Sequence, residues 1–147
     1  MALEEFAVRL AVERLKAEEW AQLCERLQEL LDKMHNAMID GDSIAANELD
    51  IEWHTLLIDS ARNRALSRTW RASGLSFLIW SPERDVYPLS PDKLAVIQQR
   101  HQELLDGLRQ RVPEQVARAV RAHILNKLSD LNEWLAQKSA EAGEPQP

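Results

Sequence analysis

The sequence predicts an all-α protein, built as an antiparallel bundle of about six helices. Apolar residues recur at steps of three and four along most of the chain, which is the period of amphipathic helices. The 147 residues include only four glycines and six prolines, and no segment alternates like a convincing strand. This length is enough for one domain with one core. We expect the domain to span residues 1–138 and a disordered tail to span 139–147.

The first three helices are predicted over residues 2–15, 18–39 and 43–61. The turn at 40–42 ends the second helix, because its glycine adopts a positive φ at low steric cost. Ser43 is the predicted N-cap of the third helix. Asn63 is suited to the left-handed conformation of the tight turn that follows.

The second half of the chain is predicted to contain three more helices. An apolar helix over 65–79 is hydrophobic on most sides, so we expect it to be central or at an interface. The stretch 81–89 contains two prolines and several charges and is predicted to be a loop. Prolines near helix starts then place the fifth helix at about 91–108, with Ser90 as its N-cap, and the sixth at about 113–137.

Composition excludes several classes of protein. The chain has 24 acidic and 18 basic side chains and a net charge of −6, which argues against nucleic acid or anionic membranes as direct partners. The single cysteine, Cys24, cannot form an internal disulfide, and this is typical of a reducing compartment. No apolar run approaches the roughly 20 residues that span a bilayer. We therefore expect a cytoplasmic protein.

Association with a second copy is also expected. The second and fourth helices carry more apolar side chains than one small bundle easily buries, among them Trp20, Trp70 and Trp80. This excess predicts a homodimer.

Three of the four histidines fall on apolar helical stripes. Asp50 and His54 lie one turn apart on the inward face of the third helix, His101 stands where a leucine would be expected, and His123 borders apolar positions of the sixth helix. Buried carboxylates and imidazoles are costly unless they are paired or coordinated. A divalent transition metal such as zinc, nickel, copper or iron(II) would satisfy them. His35, near a helix end, is assigned to the surface.

Two other interpretations stay open from the residues alone. The histidines could be hydrogen-bonded core residues of a metal-free interaction module, with Asp50 and His54 forming an ordinary helix pair. A metalloenzyme could use open positions on an Asp/His3 site to activate water. The nearby acid Glu52 points away from the two ligands of its own helix, and no Gly-rich phosphate loop is present.

The order of short motifs resembles a known family. These motifs are Leu49-Asp50-Ile51-Glu52-Trp53-His54, Ala61-Arg62-Asn63, Arg100-His101-Gln102-Glu103-Leu104-Leu105 and Ala119-Val120-Arg121-Ala122-His123. Their order, with 22 residues from His101 to His123, resembles the FCD domain over about residues 2–135. The FCD domain is the C-terminal effector-binding domain of FadR-type GntR transcription regulators. Trp53 stands where that family usually has phenylalanine.

The resemblance implies an all-helical domain that binds a small organic acid and is not an enzyme. In the metal-containing branch an Asp and three His hold Zn²⁺, Ni²⁺ or a similar ion, and these map onto Asp50, His54, His101 and His123. The branch typified by FadR itself lacks this set and binds acyl-CoA, so this chain resembles the metal-binding branch.

Two further expectations concern the effector and DNA. Arg71 is a candidate to hold a second carboxylate of the effector, and Asn126, one turn beyond His123, is a second candidate to line the pocket. Regulators of this kind carry a winged helix-turn-helix before the effector domain, and this chain begins at the effector domain. We expect no direct nucleic acid binding by this polypeptide.

Overall fold

The computed structural model describes residues 2–73 and 90–143 and contains six α-helices and no strand in these two ranges. The helices are α1 (Ala2–Arg14), α2 (Ala17–Ile39), α3 (Ser43–Asp59), α4 (Arg64–Ala72), α5 (Pro91–Arg109) and α6 (Pro113–Gly143). The predicted all-α class is confirmed. Not one of these helices has the length and apolarity that crossing a membrane would require.

Five of the helices form a closed ring around one core. Helix α2 packs against α3 and α5, α5 packs against α6, α6 packs against α1, and α1 returns to α3. Buried side chains from all five helices meet inside the ring, including Leu27, Met34, Trp53 and Leu105. Helix α4 lies against α1 and α3, where Trp70 belongs to a second, smaller apolar cluster.

Two tryptophans that suggested a dimer are part of the monomer's interior. Trp20 is buried, and its indole N–H donates to the backbone oxygen of Leu108 at 3.0 Å. Trp70 is also buried, and its indole N–H donates to Thr55 Oγ1 at 3.3 Å. Trp80 lies outside the described residues. The excess of apolar side chains from which we predicted a dimer is therefore absorbed, for Trp20 and Trp70, within one chain.

Helix starts follow the predicted capping chemistry, with one shift. Gly41 has a φ of 74°, as the turn before α3 requires. Asp42, not Ser43, caps α3, and its carboxylate accepts from the backbone N–H of Ala45 at 3.0 Å. Aspartate and serine are about equally favoured at this position, so two adjacent candidates could not be separated by sequence. Ser90 caps α5 as predicted.

The turn between α3 and α4 also differs from the expectation. Arg62 has the positive φ, at 51°, while Asn63 has an extended backbone and caps α4. The Asn63 side-chain oxygen accepts from two backbone N–H groups, those of Ala65 and Leu66. Asparagine is favoured both in left-handed turns and at N-caps, and here the cap prevails. The predicted helix beyond residue 73 and the predicted loop 81–89 lie outside the described residues.

Helix α6 ends later than predicted. It continues to Gly143 instead of stopping near Gln137, so residues 139–143 of the expected tail are helical. Alanine, glutamate and lysine are strong helix formers, and Lys138 pairs with Glu141 one turn away at 2.9 Å. Residues 144–147 lie outside the described part of the chain.

Candidate metal centre

The ring of helices brings the four predicted ligands together. Asp50 and His54 come from α3, His101 from α5 and His123 from α6, and all four are buried. One ring nitrogen from each histidine lies within 4.8 Å of those from the other two. Histidines up to 69 positions apart in the sequence therefore come together, and Asp50 Oδ1 lies 2.9 Å from Nε2 of His101 and 3.6 Å from Nε2 of His54.

His54 is oriented by a carboxylate that the sequence analysis missed. Its Nδ1 lies 2.5 Å from Oε1 of Glu4, a buried residue in the first turn of α1. When the carboxylate accepts from Nδ1–H, the lone pair of a neutral ring is on Nε2. That Nε2 lies 3.6 Å from Asp50 Oδ1 and has no hydrogen-bond partner among the described residues.

The signal for Glu4 was present but weak. Glu4, Val8 and Ala11 are spaced at four and three residues, which places the carboxylate on the buried face of α1. Nothing in the sequence indicates that this face meets His54, 50 residues later.

His101 shows a matching arrangement with a backbone partner. Its Nδ1 lies 3.0 Å from the carbonyl oxygen of Ile97, one turn earlier on α5. A carbonyl only accepts, so Nδ1 is the donor and Nε2 of the neutral ring has the lone pair. This Nε2 faces Asp50 Oδ1 at 2.9 Å. Two acceptor atoms at this distance need a shared cation between them, which is either a proton or a metal ion.

His123 differs from the other two histidines in its hydrogen bonding. Both of its ring nitrogens are buried without a hydrogen-bond partner in the described parts of the chain. Such groups are rare, because each unsatisfied buried polar atom costs about 1–3 kcal/mol. A core of ordinary hydrogen-bonded histidines does not account for this ring. The donor set of three imidazoles and one carboxylate fits a divalent transition metal.

The protonation states also suit coordination. Burial lowers the pKa of the His101 ring, against the opposing hydrogen bond with Asp50. Burial, reinforced by neighbouring positive charge, lowers the pKa of His123 well below its usual value. Both shifts favour the neutral form of His101 and His123, which is the form in which imidazole binds metal.

Asp50 has a second partner that sequence reasoning did not select. Lys127 Nζ lies 2.9 Å from Asp50 Oδ2 and 3.3 Å from Oδ1. Burial alone would raise the pKa of Asp50, but the Lys127 ammonium and the His101 hydrogen bond outweigh it and hold that pKa well below its ordinary value. Lys127 follows His123 by four residues, so its place on the same face of α6 was readable from the sequence.

Trp53 packs the ring systems in place. It is fully buried, and its indole N–H donates to the Leu27 carbonyl oxygen at 3.0 Å. Its ring lies edge-on to those of His54 and His101, with centroid distances of 5.1 and 5.8 Å. Tryptophan at this position supplies an aromatic wall and a hydrogen bond that a phenylalanine could not donate.

A cavity of about 540 Å³ lies beside the cluster, with Asp50, His101 and His123 in its wall. Apolar side chains and charged side chains share the rest of the lining. The apolar members include Met38, Val96, Ile97 and Trp134, and the charged members are Asp92, Lys93, Arg100, Lys127, Asp130 and Glu133. A concave site in which apolar side chains adjoin convergent polar and charged groups is suited to a small molecule that carries a charge.

The two predicted effector contacts are placed elsewhere. Arg71 is exposed and pairs with Asp59 at 2.7 Å, and Asn126 is exposed on α6. Neither residue is among those that line the cavity in the described part of the chain. His35 is half-buried on α2 and does not belong to the histidine cluster.

The helical ring, the buried cluster and the adjoining cavity define a ligand-binding domain of the all-α class. The chain belongs to the FCD domain family, whose profile matches residues 1–126. This confirms the resemblance found in the sequence and supports a regulatory, effector-sensing role.

The fold is similar to that of E. coli McbR/YncC. The two chains share 20% sequence identity with a TM-score of 0.69, and the match covers 92% of this chain and 64% of that one. At this identity the likeness shows the fold, and this chain spans less than two thirds of its neighbour's length. A comparison with curated protein sequences finds no match.

Proposed function

We propose that this chain is the metal-dependent effector-sensing domain of a GntR/FadR-type transcription regulator. Asp50, His54, His101 and His123 would hold one divalent transition metal ion, with Zn²⁺ or Ni²⁺ as the first candidates. The observation that carries the proposal is the lone-pair geometry of the cluster. His54 and His101 each donate Nδ1–H to a separate acceptor and present Nε2 towards Asp50, while neither nitrogen of His123 has a partner among residues 2–73 and 90–143.

The partners of the two Nδ1 atoms support this assignment. Metal-binding histidines usually donate their other ring N–H to a carboxylate or a backbone carbonyl, which sets the tautomer and orients the ring. Glu4 and the Ile97 carbonyl occupy these two roles. A bound divalent ion would supply a Lewis-acidic position to which a carboxylate of the effector can coordinate.

The effector is proposed to be a small organic acid bound in the 540 Å³ cavity. Its anionic group would face the cluster, and its carbon chain would contact the apolar lining. Arg100 lines the cavity and is paired with Asp130, so its guanidinium is positioned to bind a second carboxylate. This placement favours Arg100 over Arg71 for that role.

The metal content of the purified protein tests this proposal directly. Protein prepared without chelator and without nickel resin should retain one divalent ion per chain in mass spectrometry under native conditions. A retained metabolite would appear in the same spectrum as an additional mass. Metal-free protein that also fails to take up Zn²⁺, Ni²⁺ or Mn²⁺ would favour the interaction-module alternative.

The metalloenzyme alternative predicts a different outcome. Turnover of hydrolase or lyase substrates by the metal-loaded protein would support it. Glu52 is exposed on α3, on the opposite side from the buried ligands of that helix, so it is not placed to act as their general base. We propose a sensing role and expect no turnover.

We also propose a homodimer that does not bind nucleic acid on its own. Leu125, Leu128 and Leu135 are large apolar side chains exposed at helical spacing on α6, and we propose that this stripe supports self-association. Sedimentation at micromolar concentration should show a species of twice 16.9 kDa. With a net charge of −6, the chain should show no salt-sensitive DNA binding in a gel shift.

A further inference from the structure

Lys127 is the one ammonium group that contacts a predicted metal ligand in the described parts of the chain. Its Nζ lies within 3.3 Å of both oxygens of Asp50, and only 17% of its side chain is exposed. A lysine this close to a buried carboxylate compensates its negative charge, which would otherwise be costly to bury.

The ammonium and a metal ion would compete for the same atoms. Asp50 Oδ1 is the atom that faces Nε2 of both His54 and His101, so it is the oxygen available to a shared cation. Lys127 Nζ lies 3.3 Å from that oxygen and 2.9 Å from its neighbour. Two cations on one carboxylate repel each other strongly where water is scarce.

The Lys127 side chain also borders a cavity into which its ammonium can move. It lines the cavity as well as contacting Asp50, and the long side chain can carry its ammonium away from the carboxylate. Asp130 and Glu133, on the same helix, are acidic members of the same lining.

We propose that Lys127 is a built-in counter-ion, which neutralises Asp50 in the metal-free domain and is displaced into the effector cavity when the metal binds. The inference rests on the metal site proposed above. It gives the effector cavity a positive charge whose position depends on whether the metal site is loaded.

Replacing Lys127 with methionine tests the exchange through two opposite effects. Lys127→Met should lower the melting temperature of the metal-free protein, because Asp50 loses its counter-ion. It should also strengthen Zn²⁺ binding by about ten-fold or more, because the competing charge is gone. Lys127→Arg keeps the charge and should stay near the wild-type affinity. Lys138→Met, which removes a surface pair on the same helix, is the matched control and should change neither quantity.

Affinity is measured by competition with a chromophoric chelator, with Zn²⁺ alone as the probe. A purely structural lysine would lower the stability of both forms equally and leave the Zn²⁺ affinity unchanged or weaker, which would overturn the proposal. Wild-type protein that takes up no Zn²⁺ at all would instead refute the metal site itself. If Lys127→Met does not fold without metal, the Zn²⁺ affinities of Lys127→Arg and Lys127→Gln are compared instead. The exchange predicts tighter binding by Lys127→Gln, and equal affinities would contradict it.

Chemical labelling of the amine gives an independent readout in the wild-type protein. Acetic anhydride should modify Lys127 several-fold faster in the Zn²⁺-loaded protein than in the metal-free protein, while Lys138 reacts equally in both. Equal labelling of Lys127 in the two states would show that the ammonium does not move.

Discussion

Glu4 is the residue that links α1 to the histidine cluster, and its removal should weaken both the fold and the metal site. Glu4 and His54 are each at most 4% exposed in their side chains, and their contact is 2.5 Å long. Glu4→Ala leaves the His54 Nδ1–H buried without an acceptor, at a cost of about 1–3 kcal/mol. For a domain of this size, each kcal/mol lowers the melting temperature by about 2–4 °C, so we expect a loss of roughly 2–12 °C.

The same change should also lower the affinity for metal. Without Glu4, nothing holds the His54 tautomer in which Nε2 has the lone pair, and loss of such partners costs about 10–100-fold in metal affinity. Glu4→Gln should recover part of both losses, because an amide oxygen can still accept from Nδ1–H. The assay is a thermal melt with and without Zn²⁺, followed by chelator competition.

Glu5 is a close control for this experiment. It adjoins Glu4 in the sequence, but its two carboxylate oxygens accept three hydrogen bonds from the exposed Arg121. Glu5→Ala should cost less than about 1 kcal/mol and leave the metal affinity unchanged. The same small effect of Glu4→Ala and Glu5→Ala on metal affinity would contradict this role of Glu4.

Three other substitutions or reactions check the packing. A Cβ at Gly107 would lie 2.5 Å from that of Ala119, so Gly107→Ala should destabilise the α5–α6 contact by about 1–3 kcal/mol in urea unfolding, and a stabilised variant would contradict this packing. Burial raises the pKa of the Cys24 thiol, so an aromatic disulfide reagent at mildly alkaline pH should react only as the domain unfolds; immediate stoichiometric reaction of the native protein would be the opposite result. Arg71→Ala should change the free energy of unfolding by less than about 1 kcal/mol and leave the Zn²⁺ affinity unchanged, because Arg71 forms an exposed pair with Asp59. A ten-fold loss of Zn²⁺ affinity would instead indicate that Arg71 contributes to the metal site.

Much of this site could be predicted from helical periodicity, because all four predicted ligands lie on regular helices. A helical stripe tells which side chains point inward, and His101 in a leucine's place was visible for that reason. Once the helices close into a ring, inward-facing polar groups on α3, α5 and α6 have one interior to share. The convergence of Asp50, His54, His101 and His123 could therefore be predicted without coordinates.

The residues that sequence reasoning missed act across helix contacts. Glu4 reaches His54 because α1 packs on α3, and no local pattern encodes that contact or its register. Lys127 was visible as a neighbour of His123, but its pairing with Asp50 depends on how α6 lies beside the cluster. Arg71 was selected by residue type, and the structure places it in an exposed pair with Asp59 on α4.

The starts of α3 and α4 could be predicted only to within a residue or so, for a different reason. Asp42 and Ser43 are both good N-caps, and Asn63 is suited to either a left-handed turn or a cap. Such choices differ by only a few tenths of a kcal/mol locally and are decided by the packing of the helices that follow.

If Asp50 and the three histidines bind one ion together, the metal should shift the melting temperature of the domain. At 100 times its dissociation constant, a metal that binds only the folded domain adds about 2.7 kcal/mol, or roughly 5–10 °C for a domain of this size. Chelator should reverse the shift, His101→Ala and His123→Ala should abolish it, and His35→Ala should retain it. The shared metal site is contradicted if wild-type protein shows no shift with Zn²⁺, Ni²⁺ or Mn²⁺, or if His35→Ala alone removes the shift.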